Sequence, residues 1–425
     1  MNGIFFAIVV IAFAVAGVRQ INWVPPTPDA VAPMQLLATG MVDTAAGAVT
    51  LAIGLIGVMA LFLGLMKVAE EGGLLTIIAK TIRPLMVRLF PDVPPDHPAM
   101  GAMILNMSAN ALGLGNAATP FGIRAMQELD RLNGEKGTAT NAMALFLAIN
   151  TSSVTLLPTG IIALRASAGS ADPAGILPTT LFATVCSTTV AIIACKFYQR
   201  LTTPPPAATE ETESERDDAE LEPASGAYPV WVCWLAIGSI AAMVPLTILF
   251  GRQISPWIIP GLMVALLGFG VLRRVRVYEA FVDGARDGFQ VAIRIIPYLV
   301  AILVAVDMFR ASGALGVLVD VIGPVTAHFG IPGEALPMAL LRPLSGSGAY
   351  GIVASIINDP AIGPDSYTGY LVSTLQGSTE TTFYVLAVYF GAVQIRRIRH
   401  ALAAALTADV AGILGAVAIC LYLYG

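Results

Sequence analysis

The sequence contains few charged residues. Of its 425 residues, 12% are charged and 56% are hydrophobic, whereas roughly 25% of the residues in an ordinary soluble domain are charged. A water-soluble fold of this length could not cover its surface with so few charges. The composition therefore excludes a soluble globular protein and predicts an integral membrane protein, whose first partner is the lipid bilayer.

Cysteine and histidine are scarce as well, with four and three residues in the whole chain. All four cysteines fall inside apolar runs, and none has the spacing of a metal ligand. The chain has no phosphate-binding glycine loop and no nucleophile with an obvious base. We therefore expect no catalytic residues, no metal site, no cofactor other than a coupling Na⁺ or H⁺, and no nucleic acid partner.

Apolar runs near the length that crosses a bilayer, about 20 residues, predict an all-α integral membrane fold with about nine transmembrane helices. We expect the first of these runs to be a transmembrane span rather than a cleaved signal peptide. The runs are 3–18, 44–66, 140–164, 176–198, 229–250, 256–272, 288–308, 368–392 and 400–424. Two more stretches, 98–122 and 334–356, are apolar but crowded with Gly, Asn, Ser and Pro. They predict re-entrant hairpins, because broken backbone at membrane depth must face protein or a water-filled cavity.

An acidic, proline-rich stretch divides the chain. Residues 202–226 have almost no large apolar side chains, so they cannot bury enough surface to offset the entropy of ordering them. We expect a disordered linker here. It separates a first repeat, residues 1–201, from a second, residues 227–425.

The two halves repeat each other at an offset of 240 residues. Val42-Asp43 matches Val282-Asp283, and Gly73 matches Gly313. After a slip in register, the segment 151–155 lies over 378–382. Basic residues favour cytoplasmic loops, and their distribution places the N-terminus in the cytoplasm. With the loops assigned in this way, the first repeat begins outside the cell and the second begins in the cytoplasm. This predicts inverted repeats with a site near the midplane of the membrane.

Polar clusters occur at corresponding places in both halves, once in each hairpin and once in the span that follows it. Consecutive polar residues cannot all face one neighbouring helix, so local unwinding toward a cavity is expected. The alternative is that these groups only bind the hairpins to their neighbours. The candidate solute- or ion-binding residues are Asn106, Ser108, Asn110 and Asn116; Asn150, Thr151, Ser152 and Ser153; Arg342, Ser345 and Ser347; and Gln376, Ser378, Thr379, Glu380 and Thr381.

Glu380 is the sharpest candidate, because it is a carboxylate in the middle of the 368–392 run. Apolar surroundings favour the neutral form of a carboxylic acid, so Glu380 could carry a proton, hold a cation or receive a substrate amine. The alternative is a structural ion pair with Arg342 or Arg294. A charged side chain at membrane depth is costly and is rarely idle.

These motifs resemble the spore maturation protein A and B families joined in one chain. The stretch 106–133, NMSANALGLGNAATPFGIRAMQELDRLN, is similar to the signature region of the first family. The stretches 342–349, RPLSGSGA, and 373–402 are similar to the second. Both families belong with the nucleoside-recognition, or Gate, domain membrane proteins, which are similar to concentrative nucleoside transporters. The resemblance implies two inverted repeats, each with a re-entrant hairpin followed by an unwound helix.

The leading hypothesis is a secondary transporter of a small polar or anionic solute in the bacterial inner membrane, coupled to H⁺ or Na⁺. One rival is an ion channel or gate. The other is a non-transporting scaffold or assembly factor for envelope or spore-cortex maturation. A homo-oligomer is compatible with each of these hypotheses.

The composition of 202–226 predicts that this stretch is dispensable for association of the halves. If a protease site is placed there and cut after purification in detergent, the two fragments should co-migrate on a sizing column, because helix packing would hold them together. Separation of the fragments after cleavage would contradict this.

Overall fold

A computed structural model describes residues 2–25, 27, 30–113, 115–152, 155–202 and 228–425. These residues form α-helices and short 3₁₀ turns, and the described part of the chain has no β-strand. The α-helices of the first half are α1 (Asn2–Ile21), α2 (Pro33–Glu71), α3 (Leu74–Leu89), α4 (Pro98–Ala111), α5 (Gly115–Arg131), α6 (Asn141–Ser152), α7 (Thr159–Ser167) and α8 (Leu177–Tyr198).

The second half has its helices in a similar order, and α9 precedes its corresponding series as α1 does in the first half. Its α-helices are α9 (Val230–Leu272), α10 (Val277–Ala311), α11 (Ala314–Ala327), α12 (Leu336–Leu341), α13 (Gly346–Ile357), α14 (Tyr367–Ser378), α15 (Thr382–Ala392) and α16 (Ala401–Tyr424). The predicted linker, apart from Thr202, lies outside the described residues.

The all-helical prediction is confirmed, but two details of the predicted spans are wrong. The runs 229–250 and 256–272 are one continuous helix, α9, of 43 residues. A short polar interval does not end a helix when the backbone hydrogen bonds continue through it, and Pro256 does not break this one. The helices α3 and α11 were not predicted, because neither is long enough to cross a bilayer.

Three of the described helices are long and apolar enough to cross a membrane, namely α2, α16 and α8 with its flanking 3₁₀ turns. The helix α2 has 39 residues, which at about 1.5 Å per residue exceeds the ~30 Å thickness of the hydrocarbon core. Part of α2 must therefore tilt or extend beyond that core.

Two predicted spans are interrupted close to their polar clusters, but most of the residues expected to unwind are helical: Asn150, Thr151 and Ser152 end α6, and Gln376 and Ser378 lie in α14. We call residues 155–158, which precede α7, the first break, and residues 379–381, between α14 and α15, the second break. Each of the two hairpin regions contains a pair of helices. We call residues 112–113 and 342–345 the first and second hairpin tips. The second helix of the first hairpin region continues to Arg131, beyond the predicted end at 122.

The halves contain the same series of elements. The helices α2, α3, α4, α5, α6, α7 and α8 correspond in order to α10, α11, α12, α13, α14, α15 and α16. Gly73 and Gly313 precede α3 and α11 with φ angles of 80° and 85°. This left-handed conformation suits glycine, so the sequence match at an offset of 240 corresponds to a shared backbone turn.

The counterpart helices α2 and α10 pack against each other and run in opposite directions. Gly40, near the start of α2, lies beside Asp307 near the end of α10, whereas Gly64 lies beside Phe281. The backbones approach so closely that a Cβ atom on Gly284 would lie 2.5 Å from the carbonyl oxygen of Leu63. Small residues permit this close helix contact in membranes.

The second counterpart pair, α8 and α16, is antiparallel as well. The Ser187 hydroxyl donates to the carbonyl of Ala408 at 2.9 Å. At the end of α16, the Tyr424 hydroxyl donates to the carbonyl of Gly175, just before α8, at 2.8 Å. In both pairs, therefore, each half contributes the same element in the opposite direction.

Arginines from each half hold the loop that precedes the broken helix of the other half. Arg165, at the end of α7, has no exposed surface. Its guanidinium donates to the carbonyl of Pro364 at 2.6 Å and pairs with Asp365 at 3.0 Å. It also stacks on the Tyr370 ring, 4.2 Å from the centroid.

The reciprocal clamp uses Arg399, which follows α15. Its guanidinium donates to the carbonyl of Ala139 at 2.9 Å and to the Asn141 side-chain oxygen at 3.0 Å. Arg397 lies nearby and pairs with Glu135 at 3.4 Å, but its side chain is 78% exposed. The side chain of Arg399 itself is half-buried, whereas that of Arg165 is fully buried. The two clamps therefore hold equivalent loops but differ in the burial of their arginine.

We expect this inequality to appear in stability. Arg165→Met should lower the free energy of unfolding by at least about 1.5–3 kcal/mol, the usual net value of one hydrogen bond to a charged group. Arg397→Met is the matched control and should cost less than about 1 kcal/mol, as exposed ion pairs do. Thermal unfolding of both variants in detergent measures the difference, and equal losses would contradict the assigned role of Arg165.

Candidate functional site

A cavity of about 230 Å³ lies where the two hairpin tips and the two breaks meet. The first half contributes residues from its hairpin and from its break, and the second half does the same. The cavity is lined by Asn110, Gly113, Thr155, Leu157, Pro158, Thr159, Gly160, Ile161, Arg342, Gly346, Tyr350, Gln376, Gly377 and Glu380.

Backbone hydrogen bonds across the cavity walls hold the breaks open. In the first half, Leu156 N–H donates to the carbonyl of Ala111 at 3.0 Å. The two halves are joined directly where Glu380 N–H donates to the carbonyl of Thr151 at 2.8 Å. Groups that a continuous helix would satisfy internally are thus satisfied by neighbouring segments, as membrane depth requires.

Arg342 organises the second-half wall of the cavity. Its side chain is 6% exposed, and it donates to the Thr381 hydroxyl at 3.0 Å and to the carbonyl of Thr379. Its Nε atom is buried and has no hydrogen-bond partner in the described part of the chain. Buried donors are normally paired, so this donor, on a residue that lines the cavity, is available to an acceptor on a ligand.

Glu380 differs from the expectation. Its side chain is 48% exposed, rather than enclosed by apolar side chains in the middle of a span. The reason is the second break, which takes Glu380 out of the helix and leaves its carboxylate on the cavity wall. Its nearest approach to Arg342 is 3.9 Å, which is beyond hydrogen-bond distance. The side chain of Arg294, the other predicted partner, lies outside the described part of the chain.

Gln376 supplies a second unpaired polar atom. It lies near the end of α14, and its side-chain Oε1 is buried without a partner among the described residues. Two residues that line the cavity, Gln376 and Arg342, therefore each carry a buried polar atom without a partner there, an acceptor on the first and a donor on the second. Together they favour a ligand that can donate at one point and accept, or carry negative charge, at another.

The amides of the first half form a network behind the cavity. Asn110 donates to the Oδ1 atom of Asn150 at 2.9 Å. Asn106 donates to the carbonyl of Ala118 at 2.7 Å and to the Tyr389 hydroxyl at 3.1 Å. Tyr389 in turn donates to Asn150 Oδ1 at 3.4 Å. The network fastens the first hairpin to α6 and to α15 of the other half.

The structure thus separates the predicted site residues into groups. Four of them line the cavity, namely Asn110, Arg342, Gln376 and Glu380. Most of the others are buried nearby and bonded within the protein: Asn106, Ser108, Asn150, Thr151, Ser152, Ser345, Ser378, Thr379 and Thr381. Ser347 is half-buried in the first turn of α13. Ser153 and the side chain of Asn116 lie outside the described residues.

Sequence reasoning missed several residues of this region. Tyr389 links three segments, but an isolated aromatic residue in an apolar run gave no signal. Asp409 was visible as a carboxylate inside the run 400–424, where an ionisable residue is a functional candidate by default. It is 4% exposed and accepts a hydrogen bond from the Thr382 hydroxyl at 2.7 Å. Among the described residues, no cluster of His, Cys, Asp and Glu could hold a metal ion.

The chain is similar to several known proteins. Over 151 residues it is 48% identical to spore maturation protein A of Bacillus subtilis, a match that covers 36% of this chain and 77% of that protein. Over 167 residues it is 45% identical to spore maturation protein B of the same organism, covering 39% of this chain and 93% of that protein. The inner membrane protein YjiG of Escherichia coli is 34% identical over 24% of this chain and 64% of its own length.

A solved structure of CNTnw in an inward-facing substrate-bound state aligns with 98% of this chain and 91% of its own, at 15% identity and a TM-score of 0.46. The family described as nucleoside recognition, or Gate, matches residues 52–168 and 292–396, one segment in each half and together more than half of the chain. The expected resemblance is therefore confirmed, and the chain is a membrane protein that belongs to the nucleoside-recognition (Gate) family.

Proposed function

We propose that this protein is a secondary transporter of a small polar or anionic solute in the bacterial inner membrane, and that the solute binds in the 230 Å³ cavity. The observation that carries the proposal is the composition of the cavity wall. One hairpin tip and one helix break from each half meet there, and two of the lining residues, Arg342 and Gln376, each have a buried polar atom without a partner among the described residues. Transporters built from inverted repeats place their sites between discontinuous helices in this way.

The antiparallel packing of α2 with α10 and of α8 with α16 supports an inverted arrangement of the halves. A two-fold axis lying in the membrane plane would relate helices that cross the membrane in opposite directions. In this arrangement the two hairpins are re-entrant from opposite faces, and the N-terminus is cytoplasmic. Rocking of one repeat against the other would then expose the cavity to each side in turn.

The cavity chemistry defines the class of solute. Arg342 offers a free Nε donor and a positive charge, and the N-terminus of α15 lies close behind it. Both favour an anionic or strongly accepting group. Gln376 accepts a hydrogen bond from the solute. The cavity is smaller than the roughly 300–1,000 Å³ usual for drug-sized ligands, so it suits a small metabolite. Coupling to H⁺ or Na⁺ would supply the driving force.

A second candidate function is that of a non-transporting assembly factor in envelope maturation. The names of the two Bacillus relatives favour it, since both matches exceed 40% identity. An assembly factor has no need for unpaired polar atoms on a cavity wall. It would bind no small solute at this place and would show no flux.

Gln376→Met tests the binding site without disturbing the fold. The substitution removes an acceptor that has no partner within the protein, so the free energy of unfolding without solute should stay the same or rise slightly. The apparent affinity of the stabilising solute should fall by about two- to tenfold, because a lost hydrogen bond between neutral groups is worth about 0.5–1.5 kcal/mol. The measurement is a thermal-shift screen of the purified protein with uridine, succinate, phosphate and neutral amino acids.

Gln35→Met, at an exposed position on α2, is the matched control and should behave like the wild type. Solutes that stabilise the wild type should also accumulate in proteoliposomes against a gradient. If no compound stabilises the wild type, or if Gln376→Met leaves a stabilising effect unchanged, the cavity is not the binding site. Absence of both solute binding and uptake would favour the assembly-factor alternative, and saturable binding without coupled uptake would contradict coupling to H⁺ or Na⁺.

The contacts of Arg342 and Glu380 predict that substitutions of these two residues change the free energy of unfolding by different amounts. Glu380→Gln should change the free energy of unfolding by less than about 1 kcal/mol, because its carboxylate is half-exposed and makes no direct hydrogen bond to Arg342. Arg342→Met should destabilise the protein by about 1.5–3 kcal/mol or more through its lost bonds to Thr379 and Thr381. Urea or thermal unfolding separates the two, and a strong loss in Glu380→Gln would show that Glu380 is the structural partner of Arg342.

A further inference from the structure

Asp409 is a carboxylate enclosed within the helix bundle. It lies on α16, which packs against α6, α8 and α14, and its side chain is 4% exposed. The α16 surface around it is made of small residues, Ala405, Ala408 and Gly412, which bring the neighbouring helices close. Water and headgroups are therefore kept away from this carboxylate.

The hydrogen bonding of Asp409 is incomplete for a charged group. The Oδ2 atom accepts the Thr382 hydroxyl at 2.7 Å, whereas Oδ1 is buried and has no partner in the described structure. An ionised carboxylate has about four acceptor sites, and leaving half of them unpaired in an apolar setting is costly. A neutral carboxylic acid fits the same place with fewer unmet acceptors.

Among the described residues, Asp409 has no direct ion pair. Arg342 attracts its charge but directs its hydrogen bonds to Thr379 and Thr381 instead. The Lys196 ammonium, on α8, donates to the carbonyl of Leu89. The helices α6 and α14 carry no charged side chain. The other titratable groups on the elements packed against α16 are Cys186, Cys195, Tyr198, Tyr367, Tyr370, Glu380, Tyr384 and Tyr389.

Asp409 is connected to the cavity through the second break. Thr382, its hydrogen-bond donor, is the first residue of α15 and follows the break directly. On the other side, Arg342 holds the same break at Thr379 and Thr381. The break carries Glu380, which lines the cavity. Gain or loss of charge at Asp409 would therefore alter the forces on a segment that forms part of the cavity wall.

From this geometry we propose that Asp409 is a proton-binding site, and that its protonation is linked to the state of the second break and so to occupancy of the cavity. Loss of the proton would create a buried anion beside Thr382 and within the field of Arg342, drawing both toward α16. By linkage, if a solute in the cavity changes the proton affinity of Asp409, then protonation of Asp409 changes the affinity for the solute by the same factor. The link to solute depends on the transport function proposed above, whereas protonation of Asp409 does not.

Infrared difference spectroscopy of the purified full-length protein during a pH titration tests the proposal without any solute. A protonated buried carboxylic acid gives a carbonyl stretching band that is lost on deprotonation and shifted in deuterium oxide. We expect this band in the wild type and in Glu380→Gln, and its loss in Asp409→Asn. A band that disappears in Glu380→Gln and persists in Asp409→Asn would overturn the proposal, and so would the absence of any such band from the wild type.

Thr382→Val provides a second test that does not require Asp409→Asn to fold. The substitution preserves shape and removes the hydroxyl donor to Asp409, so the band should persist to higher pH, with its midpoint moved by about one unit, a tenfold change in proton affinity. Thr407→Val, which removes a half-buried hydroxyl on the same helix that bonds to the carbonyl of Ala403 rather than to Asp409, is the control and should leave the midpoint unchanged. An unmoved midpoint in Thr382→Val would overturn the assignment.

The two proposals can fail separately. If the Asp409 band titrates as expected but no solute stabilises the protein, the proton site stands and the transport proposal fails. If a solute binds in the cavity while its apparent affinity is the same at each pH in the wild type and in Asp409→Asn, the transporter stands and the link from Asp409 to the cavity is wrong.

Discussion

The architecture depends on satisfying the backbone of two broken helices away from water. A break in a membrane helix frees N–H and C=O groups, and each unpaired group costs several kcal/mol in hydrocarbon (estimates ~2–7). Here the partners come from the hairpin tips and from the opposite half. Glu380 N–H finds the Thr151 carbonyl, Leu156 N–H finds the Ala111 carbonyl, and Phe383 N–H finds the Pro343 carbonyl at 3.0 Å. Neither break would be stable alone, so the cavity between them exists only in the assembled pair.

Much of this architecture could be predicted from the residues. The helical class follows from apolar run length, and the polar clusters indicate the neighbourhood of the breaks at 155–158 and 379–381, although Asn150, Thr151 and Ser152 themselves remain in α6. The match of Gly73 with Gly313 reflects a real shared turn. The continuity of α9 could not be predicted, because a short polar interval is compatible with either a loop or an unbroken helix. Helices too short to span a bilayer, such as α3, give no length signal.

The location of the site could be predicted from the sequence better than the role of each side chain in it. A polar cluster shows where a chain must unwind, but not which members turn to the cavity and which bond to their own helix. Ser152, for example, donates back to the carbonyl of Ile149 at 3.0 Å, while Gln376, in a similar setting, keeps a free acceptor on the cavity wall. That division depends on side-chain direction within a broken turn. Long-range contacts such as that of Asn106 with Tyr389 join residues 283 positions apart, which local patterns cannot reveal.

The antiparallel pairing of α2 with α10 and of α8 with α16 has a consequence for assembly. Each pair takes one helix from each half, so neither half can complete its own packing. Because both halves belong to one polypeptide, their meeting is an intramolecular step with a high effective concentration. It does not depend on how many copies the membrane holds. If the same halves were two separate chains, their pairing would be bimolecular, and an excess of one would leave unpartnered helix faces in the bilayer.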